Sequence, residues 1–287
     1  MTTRVAPIRH TRPTPMTTTT RGGRWTRLRA ALVWLVCAAC CGLAADAQAS
    51  QRIDMPLRGH TLGLTVYVPA GPPRGTVVMG SGDVGWVGLA VTRAQELSSE
   101  GYVVVGLNVR EYLSAFTGKN AHLTPQDIQH DFADMSRFLA SHNLLPSPVV
   151  LSGVSEGAGI AVVAAASPEN HAWISGVVTI GLPQVSEIAW RWSDFTAWIT
   201  KKDADEPSVR ATDYLPRLAP LPLVLIQSTR DEYVPERDYR AMDLAAGTPH
   251  TMVLIDAANH RFTDKLPELR TAYAEALAWI AARRAGR

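Results

Sequence analysis

The sequence of 287 residues predicts an α/β protein whose mostly parallel central sheet is covered by helices on both faces. Within residues 50–287, short apolar runs alternate with amphipathic segments, as expected of buried parallel strands and the helices that cover them. The stretch VVLSGVSEGAGIAVVAAA, residues 149–166, places a glycine-rich turn between an apolar strand and a helix of small residues. A composition of 46% hydrophobic and 19% charged residues fits a globular domain of this size.

The individual elements follow from local patterns along the chain. Apolar or alternating runs predict strands, and a helix is predicted to begin at Pro125 because Thr124 can cap it. A long loop is predicted between the strand at 102–108 and this helix. The remaining predicted elements are strands within 60–71, 74–86, 147–153, 175–181, 221–228 and 248–256, and helices at 89–101, directly after Ser155, and from about Asp264 to Ala285.

Residues 182–220 interrupt this alternation with a long segment that is rich in aromatic residues. Four of them lie close together, namely Trp190, Trp192, Phe195 and Trp198. So long a segment between two strands is usually functional. Two hypotheses are open: a lid-like insertion over an apolar substrate pocket, or an aromatic cap that covers the core from outside.

Residues 1–49 differ from the rest of the chain in charge and hydropathy. They contain seven arginines, no lysine and one acidic residue, followed by an apolar stretch from about Ala30 to Leu43 and an Ala-x-Ala arrangement at Ala47 and Ala49. This pattern predicts a cleavable signal peptide, and hence a periplasmic or secreted domain at residues 50–287. The alternative is a retained membrane anchor, although the apolar stretch is shorter than the roughly 20 residues that span a bilayer.

The charge balance and the cysteines of the predicted mature domain exclude several functions. Without residues 1–49 the domain has 21 basic and 25 acidic residues, so the net charge changes from +2 to about −4. The sequence shows no basic patch that would indicate a nucleic-acid partner. All three cysteines, Cys37, Cys40 and Cys41, lie in the signal segment, which excludes a disulfide, a thiol nucleophile or a cysteine metal site from the mature domain. We expect neither a metal nor a cofactor.

The glycine-rich turn at residues 153–157 reads Gly-Val-Ser-Glu-Gly. A Gly-x-Ser-x-Gly turn between a strand and a helix is a nucleophile elbow, in which the serine occupies a strained corner. Gly153 and Gly157 leave room for backbone that a side chain would obstruct. Ser155 is therefore the candidate nucleophile, and the alternative is a purely structural turn.

A serine hydroxyl needs a histidine as base and an acid that orients the histidine. Asp231 and His260 each follow the end of a predicted parallel strand, where open α/β sheets place their sites. The competing acids are Glu232 and Asp256. The other histidines of the domain lie in less suitable places, and His250, for example, precedes the last strand.

Two backbone amides are expected to stabilise the oxyanion, one from Glu156 and one from Asp83 in the glycine-rich segment GSGDVGW. That segment lacks the pattern of a phosphate-binding loop. The acidic side chains of Glu156 and Asp83 would oppose developing negative charge, so a cation is expected nearby. The candidates are Arg110 and an ammonium group of the substrate.

Over residues 52–285 the sequence resembles the α/β-hydrolase superfamily. Within it, SGDVGW, VVVGLNVREYLSAFT and the tryptophan-rich segment are similar to the periplasmic VirJ/AcvB branch of bacterial virulence-associated hydrolases. The chain departs from that branch at Val84, where glycine is usual, and at its elbow, where an aromatic residue and Gly-Ala-Asp are usual. The branch resemblance implies hydrolysis of aminoacyl esters of phosphatidylglycerol at the membrane surface.

The sequence thus predicts an exported serine hydrolase that acts on a small-molecule or lipid ester, with membrane-surface contact as a further expectation. A peptidase or thioesterase of the same mechanism and a non-catalytic binding protein of a secretion system are the alternatives. The residues predicted to contact the substrate are Trp86, Arg110, Trp190, Trp192 and Trp198.

Overall fold

The computed structural model describes residues 50–118, 121–190 and 207–285, and the fold is given for these residues. Eight of their strands form one sheet, in the order β1-β2-β4-β3-β5-β6-β9-β10. The strands are β1 (Gln51–Leu57), β2 (His60–Tyr67), β3 (Thr76–Gly80), β4 (Val103–Leu107), β5 (Val149–Val154), β6 (Gly176–Ile180), β7 (Val185–Glu187), β8 (Ser208–Arg210), β9 (Leu223–Ser228) and β10 (His250–Ile255).

The sheet is parallel from β4 to β10, whereas β2 pairs antiparallel with both β1 and β4. This confirms the predicted mostly parallel sheet. Strand β5 lies between β3 and β6, near the middle of the sheet. The carboxyl end of β5 is therefore flanked by the loops that follow β3 and β6, which is where open α/β sheets bind ligands.

Seven α-helices are described, and they cover both faces of the sheet. One core cluster includes Tyr112, Ile128, Ile160 and Met242, and the cluster on the other face includes Leu97 and Tyr273. The helices are α1 (Leu89–Ser99), α2 (Val109–Phe116), α3 (Pro125–Ser141), α4 (Glu156–Ala165), α5 (Ala211–Tyr214), α6 (Glu236–Ala245) and α7 (Leu266–Ala285).

Helix α3 begins as predicted. The side chain of Thr124 accepts a hydrogen bond from the amide of Asp127, and the Asp127 carboxylate accepts one from the amide of Thr124, which completes a capping box with Pro125 in the first turn.

Helix α2 occupies part of the stretch predicted to be a long loop, so that prediction is wrong. Asn108 caps the helix, because its side chain accepts a hydrogen bond from the amide of Glu111 at 3.3 Å. Val109, Tyr112 and Leu113 are buried at helical spacing on its inner face. Strand β1 and helix α6 were not predicted either.

The described part of residues 182–220 contains a two-stranded antiparallel pair, β7 and β8, followed by the short helix α5. Trp192, Phe195 and Trp198 lie outside the described residues, so the lid-like insertion stays a prediction. The predicted signal segment also lies outside them. Among the helices that are described, none is long and apolar enough to cross a membrane.

Candidate active site

Ser155 stands at the corner between β5 and α4 in a strained conformation. Its φ of 52° and ψ of −122° lie outside the regions that residues with a side chain normally occupy. Its amide donates to the carbonyl of Ile180 in β6 at 2.9 Å, which fixes the corner against the neighbouring strand. Strain of this kind at a strand-to-helix turn is typical of a nucleophile elbow.

The two glycines of the elbow are required by the close approach of backbone. A Cβ atom at Gly153 would overlap the backbone of Gly157, and one at Gly157 would overlap the carbonyl groups of Gly80 and Ser81 at the end of β3. Only glycine allows the first turn of α4 to pack this tightly between β3 and β5. The elbow thus holds Ser155 directly beside the loop that follows β3.

Asp231 and His260 form a hydrogen-bonded pair at the ends of β9 and β10. The Oδ2 atom of Asp231 lies 2.6 Å from Nδ1 of His260, and both side chains are buried. The other carboxylate oxygen, Oδ1, accepts from the amides of Tyr233 and Val234 at 2.8 and 3.0 Å. With Nδ1 donating to the aspartate, Nε2 carries the free lone pair.

Ser155 and His260 both contact the end of β6, where Ile180 is followed by Gly181. Gly181 is adjacent in the chain to Ile180, the residue that accepts from the Ser155 amide, and a Cβ atom at Gly181 would come within 2.7 Å of the His260 ring. The Nε2 atom of His260 is buried and has no hydrogen-bond partner within the described ranges.

Glu232, the alternative acid, contacts the backbone of His260 and not its ring. Its Oε2 atom accepts from the His260 amide at 2.8 Å. Asp256, the other alternative, pairs with Arg230 at the protein surface. Of the three candidate acids, Asp231 is therefore the one that is bonded to the imidazole.

The loop after β3 lies against the elbow, as the predicted oxyanion site requires. The Cβ position of Gly82 is 3.7 Å from Cβ of Ser155. Asp83 is exposed, and its side chain accepts from the amide of Val84 at 2.9 Å. At the other side, the Glu156 amide begins α4, where the first-turn amides have no intrahelical acceptor.

The carboxyl group of Glu156 is surrounded by acidic groups. Its Oε2 atom accepts from the amide of Glu187 in β7 at 3.1 Å. Burial, together with the charges of Glu187 and Asp83, raises the pKa of Glu156 to about 8. Near neutral pH the group is therefore mostly protonated, which relieves the repulsion that was expected between its charge and an oxyanion.

Arg110, the candidate protein cation, lies over the indole ring of Trp190 with 4.3 Å between the guanidinium carbon and the ring centroid. The Trp190 amide donates to Thr117 Oγ1 at 3.0 Å, so Trp190 joins the start of the tryptophan-rich segment to α2. Trp86 packs over Gly106 of β4 and donates weakly to the hydroxyl of Tyr67. Substrate contact by these three residues stays a prediction, while Trp192 and Trp198 lie outside the described residues.

Three contacts near the site were not predicted from the sequence, although Glu232 itself was considered as the acid. They are Glu187 beside Glu156, Glu232 at the His260 backbone, and Tyr233, whose ring meets the His260 ring edge-on at 5.3 Å. Each follows a parallel strand on the same side of the sheet as Ser155, which is the one signal that could have indicated them. Nowhere in the described ranges do three or more His, Cys, Asp or Glu residues form a group that could hold a metal ion.

The sheet order and the strained strand-to-helix corner define an α/β-hydrolase fold, as predicted. A family model for bacterial virulence protein (VirJ) matches residues 75–268, and the chain belongs to this family. Comparison with curated protein sequences gives no match.

Solved structures share the fold at low sequence identity. The esterase domain of a Rhodothermus marinus protein is 21% identical with a TM-score of 0.55, over 82% of this chain and 99% of that one. A dienelactone hydrolase from Klebsiella pneumoniae subsp. pneumoniae MGH 78578 is 17% identical with a TM-score of 0.60, over 81% and 98%. A membrane phospholipase A described as a bacterial virulence factor is 15% identical with a TM-score of 0.55, over 89% and 99%.

Proposed function

We propose that the protein is an exported serine hydrolase that cleaves carboxylic esters through an acyl-enzyme on Ser155. The observation that carries this proposal is the buried Asp231–His260 pair at the end of β6 to which the strained Ser155 is also bonded, with Nε2 of His260 lacking a hydrogen-bond partner among the described residues. The esterases, the dienelactone hydrolase and the phospholipase that share the fold support ester chemistry.

In this mechanism Nε2 of His260 takes the hydroxyl proton as Oγ of Ser155 attacks the ester carbonyl carbon. Asp231 holds the Nδ1–H tautomer and stabilises the imidazolium that forms. The amides of Glu156 and Asp83 donate to the oxyanion of the tetrahedral intermediate. On its collapse the imidazolium gives its proton to the leaving alcohol. Water then attacks the acyl-enzyme in the same way and regenerates the serine.

The assignment is tested with Ser155→Ala, His260→Ala and the double variant. Each single change should lower kcat on a soluble ester by about 10⁴-fold, and the double variant should lose little more, because the residues act as a unit. Asp231→Asn should also cost about 10⁴-fold, since the histidine tautomer is lost. His250→Ala, at the opposite end of β10, is the matched control and should retain parental activity.

A fluorophosphonate probe separates this function from its alternatives. The parent protein should label at Ser155, and the Ser155→Ala variant should not. A folded parent that does not label would instead favour a non-catalytic binding protein. Comparing an ester, a thioester and an amide of one acyl group then separates an esterase from a thioesterase or peptidase.

For the substrate class, we propose an aminoacyl ester, including an aminoacyl lipid. Three acidic residues, Asp83, Glu156 and Glu187, meet beside the elbow from three different segments. A substrate ammonium would be attracted to these groups and would favour ionisation of Glu156. The resemblance to the VirJ/AcvB branch supports the same class.

A further inference from the structure

Two consecutive carboxylates on the loop after β9 contact the same histidine at different places. Asp231 bonds the ring at Nδ1 over 2.6 Å, and Glu232 accepts from the backbone amide over 2.8 Å. A histidine side chain is oriented by its χ angles and also by the position of its own backbone. Asp231 constrains the χ angles of His260, and Glu232 constrains the position of its backbone.

The loop that carries His260 has many internal contacts, but these do not fix it to the acid loop. Asn259 Oδ1 accepts from the amides of Arg261 and Thr263, and Asp264 Oδ1 accepts from the amide of Ala258. These bonds hold the loop in shape as a unit. Its placement against the acid loop therefore depends on the buried side chain of Phe262 and on bonds that cross between the two loops.

The crossing bonds lie at both ends of the histidine loop. At its start, Ser228 Oγ donates to the carbonyl of Ala257 at 3.0 Å, and Arg230 pairs with Asp256 at 2.9 Å. Glu232 accepts a hydrogen bond from the amide of His260, three residues after Ala257. Arg230 also comes within 3.9 Å of Asp264 beyond the histidine, so the Glu232 bond is distinguished by acting directly on the His260 backbone.

We propose that Glu232 is a positioning residue for the reaction, because its carboxylate fixes the His260 backbone and thereby the approach of Nε2 to Ser155. This inference rests on the proposed serine-hydrolase function. Small displacements of a base from its productive geometry can cost about a hundredfold in rate. We therefore expect loss of the Glu232 acceptor to slow every step in which His260 moves a proton.

The experiment compares Glu232→Met, Glu232→Ala and Glu232→Gln in the full chain. Methionine has a similar length but no oxygen acceptor, and glutamine keeps the acceptor without the charge. The Met and Ala variants should lower kcat by about tenfold to a hundredfold with KM within about twofold of the parent. The kcat of the Gln variant should lie within about threefold of the parental kcat. Glu236→Ala, at the exposed start of α6, is the matched control.

Fluorophosphonate labelling distinguishes positioning from damage to the fold. For Glu232→Met the rate constant of labelling should fall about as much as kcat, while the final labelled fraction stays at the parental level. A lower final fraction with an unchanged rate constant would show partial unfolding and overturn the proposal. A Met variant that labels at the parental rate, or a Gln variant as slow as Met, would also overturn it. A parent that does not label at Ser155 would instead reject the proposed function.

Discussion

At the scale of single residues, the site depends on a strained serine and on carboxyl groups in different surroundings. Asp231 accepts three hydrogen bonds, one of them from the His260 ring. Glu156, one residue beyond the nucleophile, is partly buried near two other acids, and this burial together with their charges raises its pKa to about 8. The two acidic residues thus differ in their hydrogen-bond partners and in their neighbouring charges.

The acidic surroundings of Glu156 predict a preference for substrates that carry an amine. The parent enzyme should turn over an aminoacyl ester at least tenfold faster in kcat/KM than the same ester with an acetylated amine, which corresponds to about 1.4 kcal/mol. Glu156→Gln and Asp83→Asn should each reduce that preference, because each removes one attraction for the ammonium. Rates on a neutral ester serve as the control. Equal turnover of both esters by the parent would leave a general esterase.

At the scale of elements, a buried polar contact holds the β1–β2 hairpin against α2 and α3. Asp131 of α3 accepts from Arg58 of the hairpin turn and from the hydroxyl of Tyr112 in α2, both at 2.7 Å. The Arg58 guanidinium also lies 3.9 Å from the ring centroid of Phe116. Burial raises the pKa of Asp131, and the nearby arginine opposes that shift.

Arg58→Ala should therefore lower the free energy of unfolding by about 2 kcal/mol at neutral pH. This loss is smaller than the loss expected for a fully buried pair, because Arg58 is partly exposed. The loss should shrink as the pH falls toward the range where Asp131 binds a proton, since a neutral carboxyl group no longer needs the arginine. Thermal unfolding of parent and variant at neutral and acidic pH measures this. Arg137→Ala, exposed on α3, is the control. A loss that is independent of pH would contradict the electrostatic explanation.

At the scale of the whole molecule, the loops at the carboxyl edge of the sheet expose apolar side chains around the site. Val84 and Val87 follow β3, Val185 lies in β7 after β6, and Tyr233 follows β9, with 43% to 59% of each exposed. These four side chains, three on loops and one in β7, are the basis for predicting contact with a membrane surface.

A charge placed among these exposed apolar side chains should impair activity on a lipid substrate more than activity on a soluble substrate. Val87→Glu should lower hydrolysis of an ester embedded in vesicles by about tenfold, the loss expected from one apolar side chain that no longer enters the interface. Hydrolysis of a short soluble ester should stay within about twofold. Leu244→Glu, exposed on α6, is the control. Equal losses on both substrates would speak against interfacial contact.

The fold and the candidate residues of the site could be predicted because both depend on local sequence. Apolar runs define strands, Thr124 and Pro125 define the start of α3, and the glycines of the elbow identify Ser155. The order of Ser155, Asp231 and His260 at successive strand ends follows from the topology of a parallel sheet. Helix α2 was missed although Asn108 and the spacing of Val109, Tyr112 and Leu113 indicate it, because the local pattern is short.

The sequence by itself determined the alternation of strands and helices, the strained turn and the candidate nucleophile, since each needs only neighbouring residues. The tertiary structure alone decided which of two adjacent acids bonds the His260 ring, that Glu187 lies beside Glu156, and that Arg58 reaches Asp131. These pairs are separated by many positions in the chain, and they meet only because separate elements pack together in the folded protein. Their pKa values and hydrogen bonds depend on burial and distance, which are properties of the packed molecule.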